Sequence, residues 1–254
     1  MAYFVDKNSI VREIWGKSDT ILLVFAGASA EFALNKAVDW LYFTGQLPKD
    51  PLGRLFSTVS YARKIVFSEK EKAHKAIDTI TSIHHAIEQQ RGQAIPNWAY
   101  KDVLFMLIDY SIRSFEILER PLDILEKEEV YKVFYKVGKR MNIQELPKDY
   151  VHFKHMRSLH ITENLHNSSY TKDLYKQYRK HLGFMRYKLL LESQRLICPK
   201  MVNAYLNKRK ASLLRPLIYL YKLCRSIRLD ALLKNMLLPS NYKKEIKSLN
   251  HINA

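Results

Sequence analysis

Apolar residues recur at helical spacing over long stretches of this 254-residue chain, and that periodicity is the strongest constraint on its fold. Only 7 glycines and 8 prolines are present to interrupt helices. No alternating strand pattern persists, and no internal repeat recurs at a fixed period. The sequence therefore predicts an all-α fold, with helices near residues 18–43, 53–67, 69–91, 98–119, 126–141, 171–193, 200–209 and 213–235.

The length of the chain suits a single domain over residues 1–254 with an ample core. Cys198 and Cys224 lie far apart without metal-binding spacing, so we expect free thiols in a reducing compartment. The first eight residues lack the apolar segment of a signal peptide. The longest apolar run, residues 20–35, is interrupted by Glu31 and is short for a membrane span. These features predict a cytoplasmic protein that is soluble or peripheral to a membrane.

Nearly all of the net charge of +17 belongs to the last two-fifths of the chain. Residues 151–254 carry a net charge of +16, whereas the first 150 residues carry +1. Tyrosines are interleaved with these basic residues, and the segment 213–222 is amphipathic. A solvated basic surface and a helical surface on anionic lipid both explain this pattern. Nucleic acid is the least favoured partner, because no helix-turn-helix or similar signature accompanies the charge.

The predicted helix near residues 69–91 carries two adjacent histidines in different surroundings. Ser68 and Glu71 predict a capping box at its start. His85 falls among polar positions, whereas His84 falls within one apolar stripe, which consists of Ala73, Ala76, Ile77, Ile80, Ile83 and Ile87. A buried imidazole needs partners for its nitrogens, and either a backbone carbonyl or a metal ion satisfies that need. Taken alone, the pattern favours a satisfied core histidine over a metal ligand.

The preceding helix carries a polar stripe of its own. Pro51 and Gly53 mark a turn, and Arg54 and Thr58 follow one helical turn apart. A solvent-exposed face is the simpler interpretation of this stripe. The alternative is a polar strip that faces an enclosed pocket, where the guanidinium of Arg54 offers fixed donors to an anion or to dioxygen.

Several runs of this sequence together are similar to one enzyme family. They are Trp15 with the run SDTILLVFAG at 18–27, DPLGRLFST at 50–58 and SIHHAI at 82–87, and the similarity continues through 99–104 and 128–147. In order and spacing these runs resemble the MpaB-type oxygenases of the mycophenolic acid pathway, to which the latex-clearing proteins (rubber oxygenases) are related. The family-like core covers about residues 12–150, with a weaker similarity in the basic helical part at 151–254, around 214–222.

The resemblance implies a haem b-dependent oxygenase with a buried haem pocket between helices. It implies that His84 is the proximal iron ligand, and that Arg54 and Thr58 are distal catalytic residues beside the cofactor. The implied reaction uses dioxygen to cleave a carbon–carbon double bond of a hydrophobic, isoprenoid-type or lipid-like substrate. Anionic membrane is a further partner to be expected through the basic C-terminal part.

Two departures from the family pattern affect its site residues. Ser57 stands where rubber oxygenases place a lysine. The basic stretch that often follows the family histidine contains Glu88 here, and Arg91 lies further downstream. The catalytic base is not identified by the motifs, and Glu31 and Asp39 are candidates only as acidic residues upstream.

Other functions stay open at this point. A non-catalytic basic helical protein of membrane surfaces or of protein interactions is one alternative, and a haem sensor is another. A di-iron helical oxygenase needs Glu-x-x-His pairs, and the chain has two such matches, at 71–74 and 163–166. We expect the first pair to face solvent and the second to run into a helix end. His152, His155 and His160 are expected at the surface.

Overall fold

The computed structural model describes residues 2–45, 49–207 and 211–226, which form eleven helices and only isolated β-bridges. The all-α prediction is confirmed. No helix within the described residues is long and apolar enough to cross a membrane. In chain order the helices are α1 Ile10–Gly16, α2 Ser18–Leu34, α3 Val38–Phe43, α4 Pro51–Phe67, α5 Lys70–Arg91, α6 Asn97–Leu118, α7 Ile124–Arg140, α8 Tyr150–Asn164, α9 Ser169–Ile197, α10 Lys200–Tyr205 and α11 Leu214–Ser226.

Helix α2 lies at the centre of the assembly and packs mainly against α6 and α9. Its small and apolar residues are buried on all sides, as expected of a helix that is enclosed by others. At Gly27 a side chain would meet the ring of Tyr110, because a Cβ atom there would lie 2.3 Å from Tyr110 Cε1. Glycine therefore permits the close approach of α2 to α6.

A buried polar network joins α2, α6 and α8 next to this contact. Both guanidinium amino groups of Arg157 donate to the carboxylate of Glu31, at 2.8 and 2.5 Å. The same carboxylate accepts from the hydroxyl of Tyr110 at 2.5 Å, and that hydroxyl lies 3.6 Å from the Sγ atom of Cys198, a buried free thiol. Burial and the neighbouring thiol and carboxylate raise the pKa of Tyr110 well above its ordinary value. The network thus holds charged groups in the interior as a paired set.

Helices α4 and α5 form an antiparallel hairpin through a two-residue connection. The predicted capping box at its start is wrong: Glu69, not Ser68, is the N-cap residue, and its side chain accepts no capping bond. The reason is tertiary, because the N-terminal segment pairs with this connection. The N–H of Phe4 donates to the carbonyl of Ser68, and the N–H of Lys70 donates to the carbonyl of Ala2.

The predicted helix at 18–43 is two helices, because Asn35 has an extended backbone. The residues around Asn35 pair with the chain that follows α8: the N–H of Lys36 donates to the carbonyl of Asn164, and the N–H of His166 donates to the carbonyl of Leu34. The side chain of Asn35 also donates to Asp102 at 2.9 Å. Distant partners therefore end α2 at a point where local periodicity would continue it.

Two helices were not predicted, α1 and α8. Asp149 caps α8 by accepting from the N–H of His152. Helix α9 runs beyond the predicted bounds and bends at Gly183, whose φ of 70° is outside the helical region. The predicted helix at 213–235 is seen as α11, and residues beyond Ser226 lie outside the described part of the chain, as does the side chain of Cys224.

We predict that Gly27→Ala destabilises the protein. The added methyl group would force the ring of Tyr110 out of a fully buried position, and overpacking of this kind costs about 1–3 kcal/mol. The free energy of unfolding from urea titration measures the effect. Ala86→Val, on an exposed position of α5, is the control and should change that energy by less than about 0.5 kcal/mol. Equal stabilities of the Gly27→Ala variant and the wild type would contradict the close approach.

We also predict that Glu31→Gln lowers the free energy of unfolding by about 3 kcal/mol, because it leaves the buried guanidinium of Arg157 with only the more distant carboxylate of Asp109. Glu126→Gln is the matched control, since Glu126 forms a two-bonded pair with Arg120 on the exposed surface. The control should have a much smaller effect in the same urea titration. If both variants lost similar amounts of unfolding free energy, the buried Glu31–Arg157 pair would contribute no more to stability than the exposed Glu126–Arg120 pair.

Candidate functional site

His84 lies on the C-terminal half of α5 and is half-buried. Its ring contacts the edge of the Tyr100 ring, with the two centroids 5.2 Å apart. Both side chains line a cavity of about 210 Å³ between α5, the start of α6 and the turn at 140–143 after α7. A histidine on a concave, partly aromatic wall is the arrangement in which an imidazole can reach a bound group.

The two adjacent histidines differ as predicted. His85 is exposed, and its Nδ1 atom lies 2.9 Å from the carboxylate of Glu88. Glu88 also accepts from the N–H of Ile95 and from the hydroxyl of Tyr100, at 2.8 and 3.1 Å. Burial alone would raise the pKa of Glu88, but these hydrogen bonds lower it below its ordinary value. Glu88, which departs from the family's basic stretch, therefore holds Tyr100 against His84.

The predicted apolar stripe of α5 is buried only near the hairpin connection. Ala73, Ala76 and Ile77 are buried, whereas Ile83 is 42% exposed and Ile87 is half-buried. All residues from 78 to 91 are described, and each of them is half-buried or exposed. The C-terminal half of α5 thus presents His84 and an apolar face that the surrounding helices leave largely open.

The other two predicted site residues lie on α4. Its first turn is capped by Asp50, whose carboxylate accepts from the N–H of Gly53, so the helix begins at Pro51. The backbone of Arg54 belongs to this helix, and its side chain lies outside the described part of the structure. Thr58 is half-buried and lines a narrow cavity of about 10 Å³ whose other walls are Val24, Phe25, Ala28, Phe32, Val59, Val103, Met106 and Leu107.

Arg54 and His84 lie at similar distances from the hairpin connection, whereas Thr58 and His84 line two separate cavities. Arg54 lies 14 residues before Ser68 and His84 lies 15 residues after Glu69, or about 21 and 22 Å along two antiparallel helices. Both positions therefore lie toward the open end of the hairpin. Helix α6 connects the two cavities, because Tyr100 beside His84 and Val103 beside Thr58 share one face, one turn apart.

Neither candidate for a catalytic base faces the His84 cavity. Glu31 is engaged in the buried network with Arg157. Asp39 accepts from Arg91 at 2.7 Å, and the guanidinium of Arg91 stacks on the ring of Trp40 at 3.9 Å.

The Nη1 atom of Arg91 is shielded from solvent and has no hydrogen-bond partner among the described residues. Arg91 lies seven residues after His84, on the same face of α5, so an unused donor stands two turns from the imidazole.

His160 was predicted at the surface, and the structure contradicts this. It is buried, and its Nδ1 atom lies 2.5 Å from Asp102, which also accepts from Asn35 and Asn164. The burial follows from α8, the helix that the sequence reading missed. The signal was the stripe of Phe153, Arg157, His160 and Ile161 at helical spacing. Tyr100 was also missed as a site residue, although it lies in the family-like run at 99–104.

The residues proposed for a di-iron site do not form one. His74 packs its ring against Phe4, with the centroids 5.8 Å apart. Helix α8 ends at Asn164, so Glu163 and His166 are not on one helix. Within the described residues, no three or more His, Cys, Asp or Glu side chains are grouped so that they could hold a metal ion.

Comparison with known families matches residues 15–225 to the sequence model described as "ER-bound oxygenase mpaB/B'/Rubber oxygenase, catalytic domain". No curated protein and no solved structure matches the chain significantly. The family match covers most of the chain, including α4, α5 and α6 with the candidate site. The resemblance seen in the sequence is thereby confirmed, and the chain belongs to this family of oxygenases.

Proposed function

We propose that this oxygenase binds haem b through His84 and uses dioxygen to cleave a double bond of a hydrophobic, isoprenoid-type alkene. The observation that carries the proposal is the position of His84. It lies half-buried on the wall of a cavity, beside an aromatic ring, on the helix half that has an open apolar face. A flat apolar cofactor with a metal centre needs such a surface and one nitrogen ligand.

A haem carboxylate would need a cationic partner, and Arg91 is a basic residue on the same face of α5 as His84. Arg91 offers a shielded Nη1 donor on the same face of α5, and a guanidinium pairs well with a carboxylate. The cavity of about 210 Å³ is smaller than the roughly 300–1,000 Å³ of typical ligand pockets. Haem binding would therefore have to widen it. The half of α5 from Asp78 to Arg91 has no buried residue, so its displacement costs little packing energy.

When bound, haem would supply the activation of dioxygen. The chain itself would supply hydrogen-bond donors and a dry surrounding. Thr58 lies on the wall of an apolar cavity, and Arg54, one turn away, carries a permanent cation. Donors held in a water-poor site stabilise negative charge that develops on oxygen during reaction. The walls beside Thr58, including Phe25, are apolar and match an alkene chain in polarity, but an alkene would have to widen this cavity of about 10 Å³.

A lipid-soluble alkene is concentrated in membranes, and contact of the basic C-terminal part with an anionic membrane belongs to this proposal. A haem sensor would bind the cofactor but would not oxidise an alkene. A non-catalytic interaction protein would bind neither haem nor alkene.

We predict a Soret absorption band in protein purified after expression with a haem precursor, and its loss in His84→Ala. His85→Ala is the matched control, because His85 is the exposed neighbour that contacts Glu88, and this variant should keep the band. Loss of the band only in the His85 variant, or a colourless wild-type protein that shows no spectral change with added hemin, would overturn the haem assignment.

We further predict that Thr58→Val keeps the Soret band and reduces oxidation of isoprenoid alkenes by on the order of 100-fold, because one donor near the reacting oxygen is lost while the shape is conserved. Product formation and oxygen consumption measure the effect. Ser57→Ala is the control and should retain most of the activity. If wild-type protein binds haem and oxidises no alkene in a panel of chain lengths, the haem-sensor function is favoured instead.

A further inference from the structure

The second half of α9 and the outer face of α11 form an exposed apolar surface within the most basic part of the described chain. We propose that this surface docks the protein on an anionic lipid bilayer. We call it the docking surface and define it by six side chains, Phe184, Met185, Leu213, Leu217, Tyr219 and Leu220. This inference rests on the proposed function, because docking on a membrane would bring the candidate site close to a lipid-soluble substrate.

The segment that carries the docking surface is almost entirely positive in charge. Residues 174–226 contain 13 lysines and arginines and a single acidic residue, Glu192. Glu192 is itself largely buried and pairs with Arg195. Exposed basic side chains lie next to the apolar ones: Arg215 on α11, and Lys188, whose Nζ atom lies 5.6 Å from the centroid of the Phe184 ring. Such a surface attracts the negative headgroups of an anionic leaflet.

Helix α11 has apolar residues on two sides, and only one of these sides packs against the rest of the protein. Leu214, Ile218 and Tyr221 are half-buried against the body of the protein. Leu213, Leu217 and Leu220 repeat at positions i, i+4 and i+7 on the other side and are exposed, Leu213 by 70%. A helix with an exposed apolar stripe and basic flanks is suited to lie in the plane of a membrane interface.

The orientation of α11 is fixed by hydrogen bonds at both ends. At its start, the N–H of Leu213 and the hydroxyl of Ser212 donate to Glu192 of α9, each at 2.9 Å. Further along, the hydroxyl of Tyr221 donates to Asp19 of α2 at 2.9 Å, and Lys222 donates to the carbonyl of Glu119 at 3.1 Å. The exposed stripe therefore faces outward because the opposite side is held by α2, α6 and α9.

The bend in α9 adds a second apolar element to the same side. Gly183 interrupts the helix, and Phe184 and Met185 follow it with exposed side chains, Met185 by 76%. Met185 lies seven residues before Glu192, so both occupy one face of α9, about 10 Å apart. Because Glu192 holds the start of α11, the stripe of α11 begins about two helical turns along α9 from Met185.

The test is sedimentation of the full-length protein with phosphatidylcholine vesicles that contain or lack about one-third phosphatidylserine. We expect binding to the anionic vesicles and a strong decrease of binding at 0.5 M salt, where charges are screened over roughly 4 Å. The double variant Met185→Glu, Leu217→Glu should lower the partition coefficient by at least about tenfold, because two apolar side chains no longer enter the interface.

The matched control is Leu125→Glu, since Leu125 is equally exposed but lies at the start of α7, outside the docking surface. It should bind anionic vesicles as the wild type does. Circular dichroism checks that each variant folds. No binding by the wild type, equal binding to neutral vesicles, or equal loss in the Leu125 variant would each overturn the proposal.

Two further measurements separate this inference from its alternatives. If the double variant keeps the Soret band of the wild type, its loss of vesicle binding is independent of haem. If the wild-type protein is colourless but still binds vesicles, only the haem assignment is wrong. Binding of single-stranded oligonucleotides without vesicle binding would assign the basic surface to nucleic acid and overturn the lipid proposal.

Discussion

The buried ion pair between Glu31 and Arg157 is the contact on which the helical assembly depends. It ties the central helix α2 to α8, and the hydroxyl of Tyr110 extends the pair to α6. Charges so deep in the interior are tolerated only when they are paired and hydrogen-bonded, so these side chains set how the three helices are rotated about their axes. Gly27 then permits the close approach of α2 and α6. The position of α6 matters for function, because it carries Tyr100 beside His84.

The α4–α5 hairpin divides into a structural half and a functional half. Near its connection, Ala73, Ala76 and Ile77 are buried and the N-terminal segment pairs with the backbone. At the open end, the apolar face around His84 is incompletely covered. Protein segments that accept a ligand are commonly drawn from the weakly packed parts of a fold. This contrast supports the proposal that the open end, and not the buried end, receives the cofactor.

The proposed docking surface is built on the same helices that build the interior. Helix α9 packs against α2, and α11 is anchored to Asp19 of α2 and to Glu119 at the end of α6. The outward stripe of α11 therefore has a fixed direction relative to the candidate site on α4, α5 and α6. An enzyme that takes a lipid-soluble substrate benefits from such a fixed relation, because the route from membrane to site then stays constant.

The sequence by itself determined the helical class, the different surroundings of His84 and His85, and the family, because helical periodicity and short motifs are local properties of the chain. Tertiary structure alone decided that α2 ends at Asn35, that Ser68 does not cap α5 and that Asp102 is the partner of His160. In each case the deciding partner lies in a distant segment of the chain. Hydrogen bonds between such segments override local preference, and no local pattern specifies them.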